Sequence, residues 1–273
     1  MPVRKIDNGQ GQALPLQVSM TRRRFYAPLS AFAANLRSVT LTSDEARHLR
    51  DVLRLKVGDE VYVFNGAGKE FHCRVQESRR ETARLEIIGE VDPARPESRL
   101  QLTLAVALLK GEKFDLVVQK ATELGVSSVV PVVTKLADVS LRDASDAAKR
   151  VARWQRIALE AAKQSGRAVV PSITTPVSFA TLVSNTAAEP KARRLMFSER
   201  NGQSLTEATE LFPAKGFPLT ALVGSEGGWT DEELTIARDA GWTIVTLGGR
   251  TLRAETAAIA VAVLLQHIAG DLV

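Results

Sequence analysis

One cysteine and three histidines in 273 residues leave this chain nearly without disulfide-forming or metal-ligating side chains. Cys73 alone closes no internal disulfide and no multi-cysteine zinc site, and His48, His72 and His267 are too few and too scattered for a metal enzyme. The longest apolar run, 257–265, is too short to span a bilayer. No basic-then-apolar segment opens the chain, so the expectation is a cytoplasmic protein with no membrane partner. Familiar nucleotide motifs are also missing. Without Gly-x-Gly-x-x-Gly the Rossmann dinucleotide site lacks its fingerprint, and without Gly-x-x-x-x-Gly-Lys-Ser/Thr a P-loop is excluded. No Gly-x-Ser-x-Gly elbow offers a hydrolase nucleophile.

What the chain does have is an uneven positive charge. Of the net +5, residues 1–99 carry most, with 17 Lys and Arg against 13 Asp and Glu. Arg22, Arg23 and Arg24 run together there. Such an excess is either a merely basic surface or the phosphate-contacting face of a nucleic-acid module.

The organisation reads in three parts. Residues 1–21, rich in Gln and Gly, look like a disordered leader. From 22 to 92 the pattern is short strands with one helix. Residues 43–55 open on Ser43 and space Ala46, Leu49, Val52 and Leu53 as an apolar helical face. Strands at 60–64 and 70–75 flank Asn65-Gly66-Ala67-Gly68, a hairpin signal, and 85–91 supplies another strand, so a small β-barrel is expected. Residues 93–99 form a polar, proline-containing linker. Beyond it, 100–273 alternates strands (100–109, 129–133, 195–198, 219–223, 243–247) with helices (114–124 and 147–165). A further helix has a capping box of Thr230 and Glu233 at its start. That alternation predicts an α/β domain with a mainly parallel sheet.

Two glycine loops in this second part each follow a strand and precede a helix. The first is Val223-Gly224-Ser225-Glu226-Gly227-Gly228-Trp229, after Leu222. The second is Leu247-Gly248-Gly249-Arg250-Thr251-Leu252-Arg253-Ala254-Glu255-Thr256-Ala257. Each alone is either an ordinary glycine turn or a ligand loop, and Arg253 with Glu255 is either a helix-start ion pair or a reactive pair. Two such loops at strand ends favour one shared small-ligand site. On residues 147–165 and just after, Arg153, Arg156, Glu160, Lys163, Gln164 and Arg167 recur at offsets of three, four and seven, which is a solvated face or an RNA-contacting one. Trp154 reads as core, and His48 and His72 as structural or surface residues.

Together the two loops resemble the methyl-donor motifs of the RsmE family in the SPOUT superfamily. Arg23-Arg24-Phe25-Tyr26 is similar to that family's opening, and His48-Leu49-Arg50-Asp51-Val52-Leu53-Arg54-Leu55-Lys56-Val57-Gly58-Asp59 to its N-terminal signature. The run from Lys113 to Val126 resembles the first helix of its catalytic domain. The chain departs from the family at Ser225 and Gly249, where proline is usual, at Trp229, where phenylalanine is usual, and at Thr251, where an aliphatic residue is usual.

The resemblance implies a PUA-like, RNA-binding N-terminal β-barrel and a SPOUT α/β domain with a C-terminal trefoil knot. It implies a homodimer acting on 16S rRNA in the small ribosomal subunit. S-adenosylmethionine would be held by Leu222, Val223, Gly224, Ser225, Gly227, Gly228, Leu247, Gly248, Leu252 and Thr256. Arg253 would stabilise a developing uracil anion, with Glu226 or Glu255 orienting it. RNA contacts are expected from Arg22, Arg23, Arg24, Arg50, Arg54, Arg153, Arg156, Gln164 and Arg167. The product would be a uridine methylated at N3. The rival readings are another SPOUT methyltransferase, acting on a ribose or a different base, and a non-catalytic RNA-binding assembly factor with a degenerate donor pocket.

Overall fold

The computed structural model describes residues 22–187, 192–210, 212–213 and 216–272, and the leader expected at 1–21 lies outside them. Near the N-terminus, strands β1 (Arg24–Tyr26), β2 (Ser38–Thr42), β3 (Glu60–Phe64), β4 (Glu70–Ser78) and β5 (Thr82–Val91) form one sheet. Their order is β1-β3-β4-β5-β2, with β1 parallel to β3 and every other pair antiparallel. The path is open, so the expected barrel is a half-barrel. Side chains alternate across the strands, and Val39, Leu41, Val61, Val63, Cys73, Val75, Ala83 and Leu85 share one buried cluster with Ala46 and Leu49. The hairpin at residue 65 closes as expected, its Asn65 Oδ1 accepting from the amides of Ala67 and Lys69 at 2.8 and 3.1 Å.

The single helix expected over 43–55 is instead a short helix, α1 (Ser43–Arg47), running into one π-turn (His48–Val52). Ser43 does not cap it: the N-cap position is Thr42, which makes no side-chain cap bond. In the π-turn the Leu53 amide bonds the His48 carbonyl at 3.0 Å, an i→i+5 pairing that widens the coil. Ala46 and Leu49 therefore face the core, while Val52 and Leu53 turn to solvent.

The second sheet is built from β6 (Gln101–Ala107), β7 (Ser128–Val133), β8 (Ser172–Ile173), β9 (Val177–Ser178), β10 (Arg193–Phe197), β11 (Pro218–Val223) and β12 (Thr243–Val245). The order is β12-β10-β11-β6-β7-β8, with β9 also on β7, and all pairs are parallel. Helices α2 (Lys113–Glu123), α3 (Ala144–Ser165) and α7 (Ala254–Ala269) pack on one face, against Leu102, Leu104, Val106, Leu219 and Val223. Helices α4 (Phe179–Ala187) and α6 (Asp231–Asp239) cover the other, against Ala105, Val132, Met196 and Leu222. A short α5 (Leu205–Thr209), with its own capping box of Ser204 and Glu207, follows β10. Burial on both faces explains the near-continuous apolar strands that the sequence shows. Trp154 is core, its Nε1 donating to Asp115 Oδ1 at 3.0 Å.

The two sheets are stitched by charged groups rather than by a free linker. Arg24 donates to the carbonyls of Lys163 and Arg167, at 3.2 and 3.0 Å, and Lys163 Nζ reaches Glu45 at 2.6 Å. Within the expected linker, Glu97 accepts from Arg167 Nη2 at 2.7 Å, and Ser98 Oγ donates to Gln266 at 2.6 Å. No helix among the described residues is long and apolar enough to cross a membrane.

Candidate active site

Strands β10, β11 and β12 are neighbours and end at the same edge of the parallel sheet, where such folds gather ligands. A cleft of about 230 Å³ opens there. Its walls are residues 197–199 at the end of β10, 223–225, 228 and 229 at the end of β11, and 246–252 after β12, with Ala254 and Ala257 of α7. The two glycine loops thus share one site.

The β11 loop is held in a tight turn. Gly228 N donates to the Ser225 carbonyl at 3.0 Å, and Ser225 Oγ donates to the Leu136 carbonyl at 3.1 Å. Gly227 is required by its surroundings: a Cβ there would lie 2.7 Å from the Leu136 oxygen. Trp229 lies beneath the loop, buried, its indole N–H donating to the Phe197 carbonyl at 2.8 Å. The β12 loop differs. Gly248 and Gly249 have φ of +72° and +76°, which favour glycine, and nothing stands within 4 Å of where a Cβ would be. The result is a backbone cradle with open space over it, apolar walls from Val223, Trp229, Leu252 and Ala257, and one carboxylate, Glu199. Such a slot suits a flat heteroaromatic ring carried on a polar, hydroxyl-bearing group.

Beside the cleft three charged side chains meet. Lys113 Nζ, at the start of α2, lies 2.5 Å from Glu226 Oε1 and 3.9 Å from Glu255 Oε2. Bonding to Lys113 holds the Glu226 carboxyl below the ordinary glutamate range, and bonding to Glu226 raises the Lys113 ammonium. Arg253, the exposed N-cap residue of α7, lies near enough to act on the Lys113 charge. Glu226 and Glu255 are therefore brought together on Lys113, with Arg253 in electrostatic reach of that ammonium. Neither carboxylate is bonded to Arg253, however; both face Lys113, which the sequence reading placed only within a family motif.

Among the residues expected to hold a donor, Val223, Gly224, Ser225, Gly228, Leu247, Gly248 and Leu252 line the cleft. Leu222 points into the core on the other face of the sheet, Gly227 packs on Leu136, and Thr256 is exposed on α7 away from the lining. Glu199 of the wall was missed, as was Arg200, which braces the site through the Trp229 carbonyl at 2.9 Å and Asp231 at 2.7 Å. Nothing in their local sequence distinguishes them from an ordinary surface turn after a strand.

The residues expected to touch RNA fall into two groups. Arg23, Arg54, Arg156 and Gln164 are exposed. Arg22 is partly exposed, bonded to Glu70 and stacked over Tyr62. Arg50 and Arg153 are held by Asp51 and Asp115 at the surface. Arg167 is buried and the Arg24 side chain nearly so, and protein partners occupy their guanidiniums: Arg167 gives its donors to Glu97 and to the carbonyls of Thr122 and Val126. Arg167 also lies past the end of α3, beyond Gly166, so it does not continue the helical face that its spacing implied. Among the described residues no cluster of His, Cys, Asp and Glu could hold a metal ion.

Comparisons with known proteins agree with this architecture. Residues 96–266 match the model of an RNA methyltransferase domain, and residues 41–88 that of an RNA methyltransferase PUA domain. The chain is 34% identical over 223 residues to the ribosomal RNA small subunit methyltransferase E of Synechocystis, covering 81% of this chain and 70% of that protein. It is 30% identical over 221 residues to the protein of the same name from Bacillus subtilis, covering 80% and 85%. The crystal structure of the Neisseria gonorrhoeae ribosomal RNA small subunit methyltransferase E bound to S-adenosylmethionine superposes with a TM-score of 0.79 at 33% identity. That match covers 92% of this chain and all of the other. The chain belongs to the RsmE family of RNA methyltransferases, with a PUA half-barrel ahead of a parallel SPOUT-like α/β domain.

Proposed function

We propose that this protein methylates N3 of a uridine in 16S rRNA of the small ribosomal subunit, using S-adenosylmethionine. The observation that carries the reading is the convergence of both glycine loops on one cleft with Arg253 beside it. The Neisseria relative, similar across nearly the whole chain, is bound to that cofactor. The cradle fits it: Gly248 and Gly249 leave room for a ring against the backbone, and Glu199 can accept from hydroxyls. When bound, the cofactor supplies a sulfonium-activated methyl group open to displacement by a nucleophile.

The chain's own residues then have to deal with a proton and a charge. Uridine N3–H is weakly acidic, and N3 must give its proton to solvent base to attack. Arg253 stabilises the negative charge that develops on the uracil. A positioned base adds typically about 10²–10⁴-fold. Glu226, kept below the usual range by Lys113, is a weak base and stays bonded to Lys113 rather than to Arg253.

The RNA would run over the exposed cations, Arg22, Arg23, Arg50 and Arg54 of the half-barrel and Arg153 and Arg156 with Gln164 on α3. Arg24 and Arg167 serve the junction between the sheets. We extend the reading to the trefoil knot, supported by the return of α7 from the sheet edge at β12 to pack on β11, β6 and α2 in its middle. We extend it also to a homodimer, because α7 leaves Val263, Leu264 and Ile268 exposed, as α2 does Leu116.

The test is methyl transfer from labelled S-adenosylmethionine to small subunits lacking the modification, mapped by reverse transcription. A new stop at one uridine supports N3, because that methyl blocks the pairing edge. Label without a stop points to a ribose or another atom. Absence of both label and cofactor binding overturns the reading in favour of an assembly factor.

A further inference from the structure

Lys113, Glu226 and Glu255 come from three distant segments: the start of α2, the loop after β11 and the first turn of α7. Their meeting is therefore a product of the fold, with 113 residues separating Lys113 from Glu226. Glu255 is mostly buried, at 12% exposure, and its Oε2 has no hydrogen-bond partner among the described residues. The Lys113 ammonium, 3.9 Å away, is the compensating charge for that oxygen. Arg253 stands two residues from Glu255, exposed, and makes no ion pair among the described residues.

Two cations and two carboxylates in one cluster allow two pairings. A guanidinium forks onto a carboxylate and is easily captured by one nearby. Were Glu255 unengaged, two residues along the chain from Arg253, it would compete with the substrate for that guanidinium. The structure shows the other pairing, with Lys113 between the carboxylates.

We propose that Lys113 is a positioning residue for methyl transfer: by engaging Glu226 and Glu255 together it keeps the Arg253 guanidinium unpaired and available to the uracil anion. This rests on the reading of the reaction given above. The ammonium also leaves the group of four neutral, whereas its removal would leave a net negative charge where another is about to form. Such a charge slows deprotonation of N3 without touching the cradle.

The experiment compares Lys113→Met and Lys113→Arg with the wild-type chain in two readouts. The first needs no reaction: modification of Arg253 by an arginine-selective dicarbonyl, followed by peptide mass spectrometry, with exposed Arg54 as internal reference. Lys113→Met is expected to slow modification at Arg253 by roughly threefold, as capture in a surface ion pair would do, and to leave Arg54 unchanged. Lys113→Arg is expected to stay near wild type. The second readout is single-turnover methyl transfer. Lys113→Met is expected to lose about tenfold or more, the scale of one misplaced charge at a reacting centre, with cofactor affinity by calorimetry unchanged. In an Arg253→Ala background the same substitution is expected to add little.

Unchanged Arg253 reactivity in Lys113→Met overturns the proposal. So does a turnover loss that persists in full without Arg253. A wild-type chain that transfers no methyl group overturns the parent reading instead, and the modification rates still decide whether Lys113 governs the pairing of Arg253.

Discussion

Arg24 and Glu70 face each other as a fork, with Nε 3.2 Å from Oε1 and Nη2 3.0 Å from Oε2, and Glu70 is wholly removed from solvent. The same carboxylate accepts from Arg22 at 3.1 Å and from the Ala94 amide at 3.0 Å. Arg24 in turn binds the carbonyls at the end of α3, so this pair ties the half-barrel to the α/β part. Removing one partner of a buried pair leaves the other charge uncompensated. Glu70→Ala is therefore expected to destabilise the protein by about 3–5 kcal/mol in urea denaturation. Arg24→Ala is expected to cost less, because Arg22 and the Ala94 amide still serve the carboxylate. Equal losses would mean that the pair acts only through packing.

Trp229 stands where the family usually has phenylalanine, and the structure shows what the indole adds. Its N–H reaches the Phe197 carbonyl at the end of β10, joining the ends of two strands that wall the cleft. Trp229→Phe loses that bond and leaves a small void, for an expected cost of about 1–2 kcal/mol. Thermal unfolding with and without S-adenosylmethionine checks it. A variant as stable as wild type would show that the bond is replaced by water.

The glycines of the two loops are expected to fail for different reasons. Alanine at Gly227 drives a Cβ against the Leu136 backbone, so the whole turn has to shift. Alanine at Gly249 meets open space but has to hold φ near +76°, at a cost of about 1–2 kcal/mol. Proline, the family's usual residue there, fixes φ near −65° and is incompatible with the conformation seen in this chain. Calorimetric titration with S-adenosylmethionine is expected to show roughly tenfold weaker binding for Gly227→Ala, which 1.4 kcal/mol would produce. Unchanged affinity in both alanine variants would remove these loops from the donor site.

The parallel sheet was legible because its strands are apolar on both faces and alternate with capped helices. The cleft was legible because both loops have glycine within three residues of a strand end. The residues misread have physical reasons. Residues 43–55 follow a helical pattern, but one π-turn shifts the phase at Leu49 and turns Val52 outward. Arg167 keeps the spacing of an α3 face, yet Gly166 ends the helix before it. Lys113 was invisible as a site residue because its partners lie in segments that only the tertiary fold brings near.

Cys73 lies inside the half-barrel, fully buried, and burial pushes its thiol up to about 12. The thiolate is the reactive form, so iodoacetamide at pH 8 is expected to leave the native protein unlabelled and to label it rapidly in denaturant. Labelling at equal rates would mean that the half-barrel opens readily.

Lys113 and Glu226 also set a pH window. The Glu226 carboxyl is depressed, first by its bond to Lys113, so its contribution is complete above the ordinary value near about 4.3 and is lost as pH falls through the lowered one. The Lys113 ammonium is raised, first by its bond to Glu226, so its contribution is complete below about 10.4 and is lost as pH rises through the raised value. Between those limits the pair is intact. A carboxyl-carbon NMR titration is expected to place the Glu226 midpoint below that of ordinary glutamates, and Lys113→Met to move it upward, since burial then acts with little opposition. Both side chains are about a third exposed, at 36% and 35%, so the difference should shrink as salt shortens the reach of the interaction. A Glu226 midpoint that ignores both salt and the loss of Lys113 would mean that the two groups do not stay paired in solution, and that Arg253 needs another guardian.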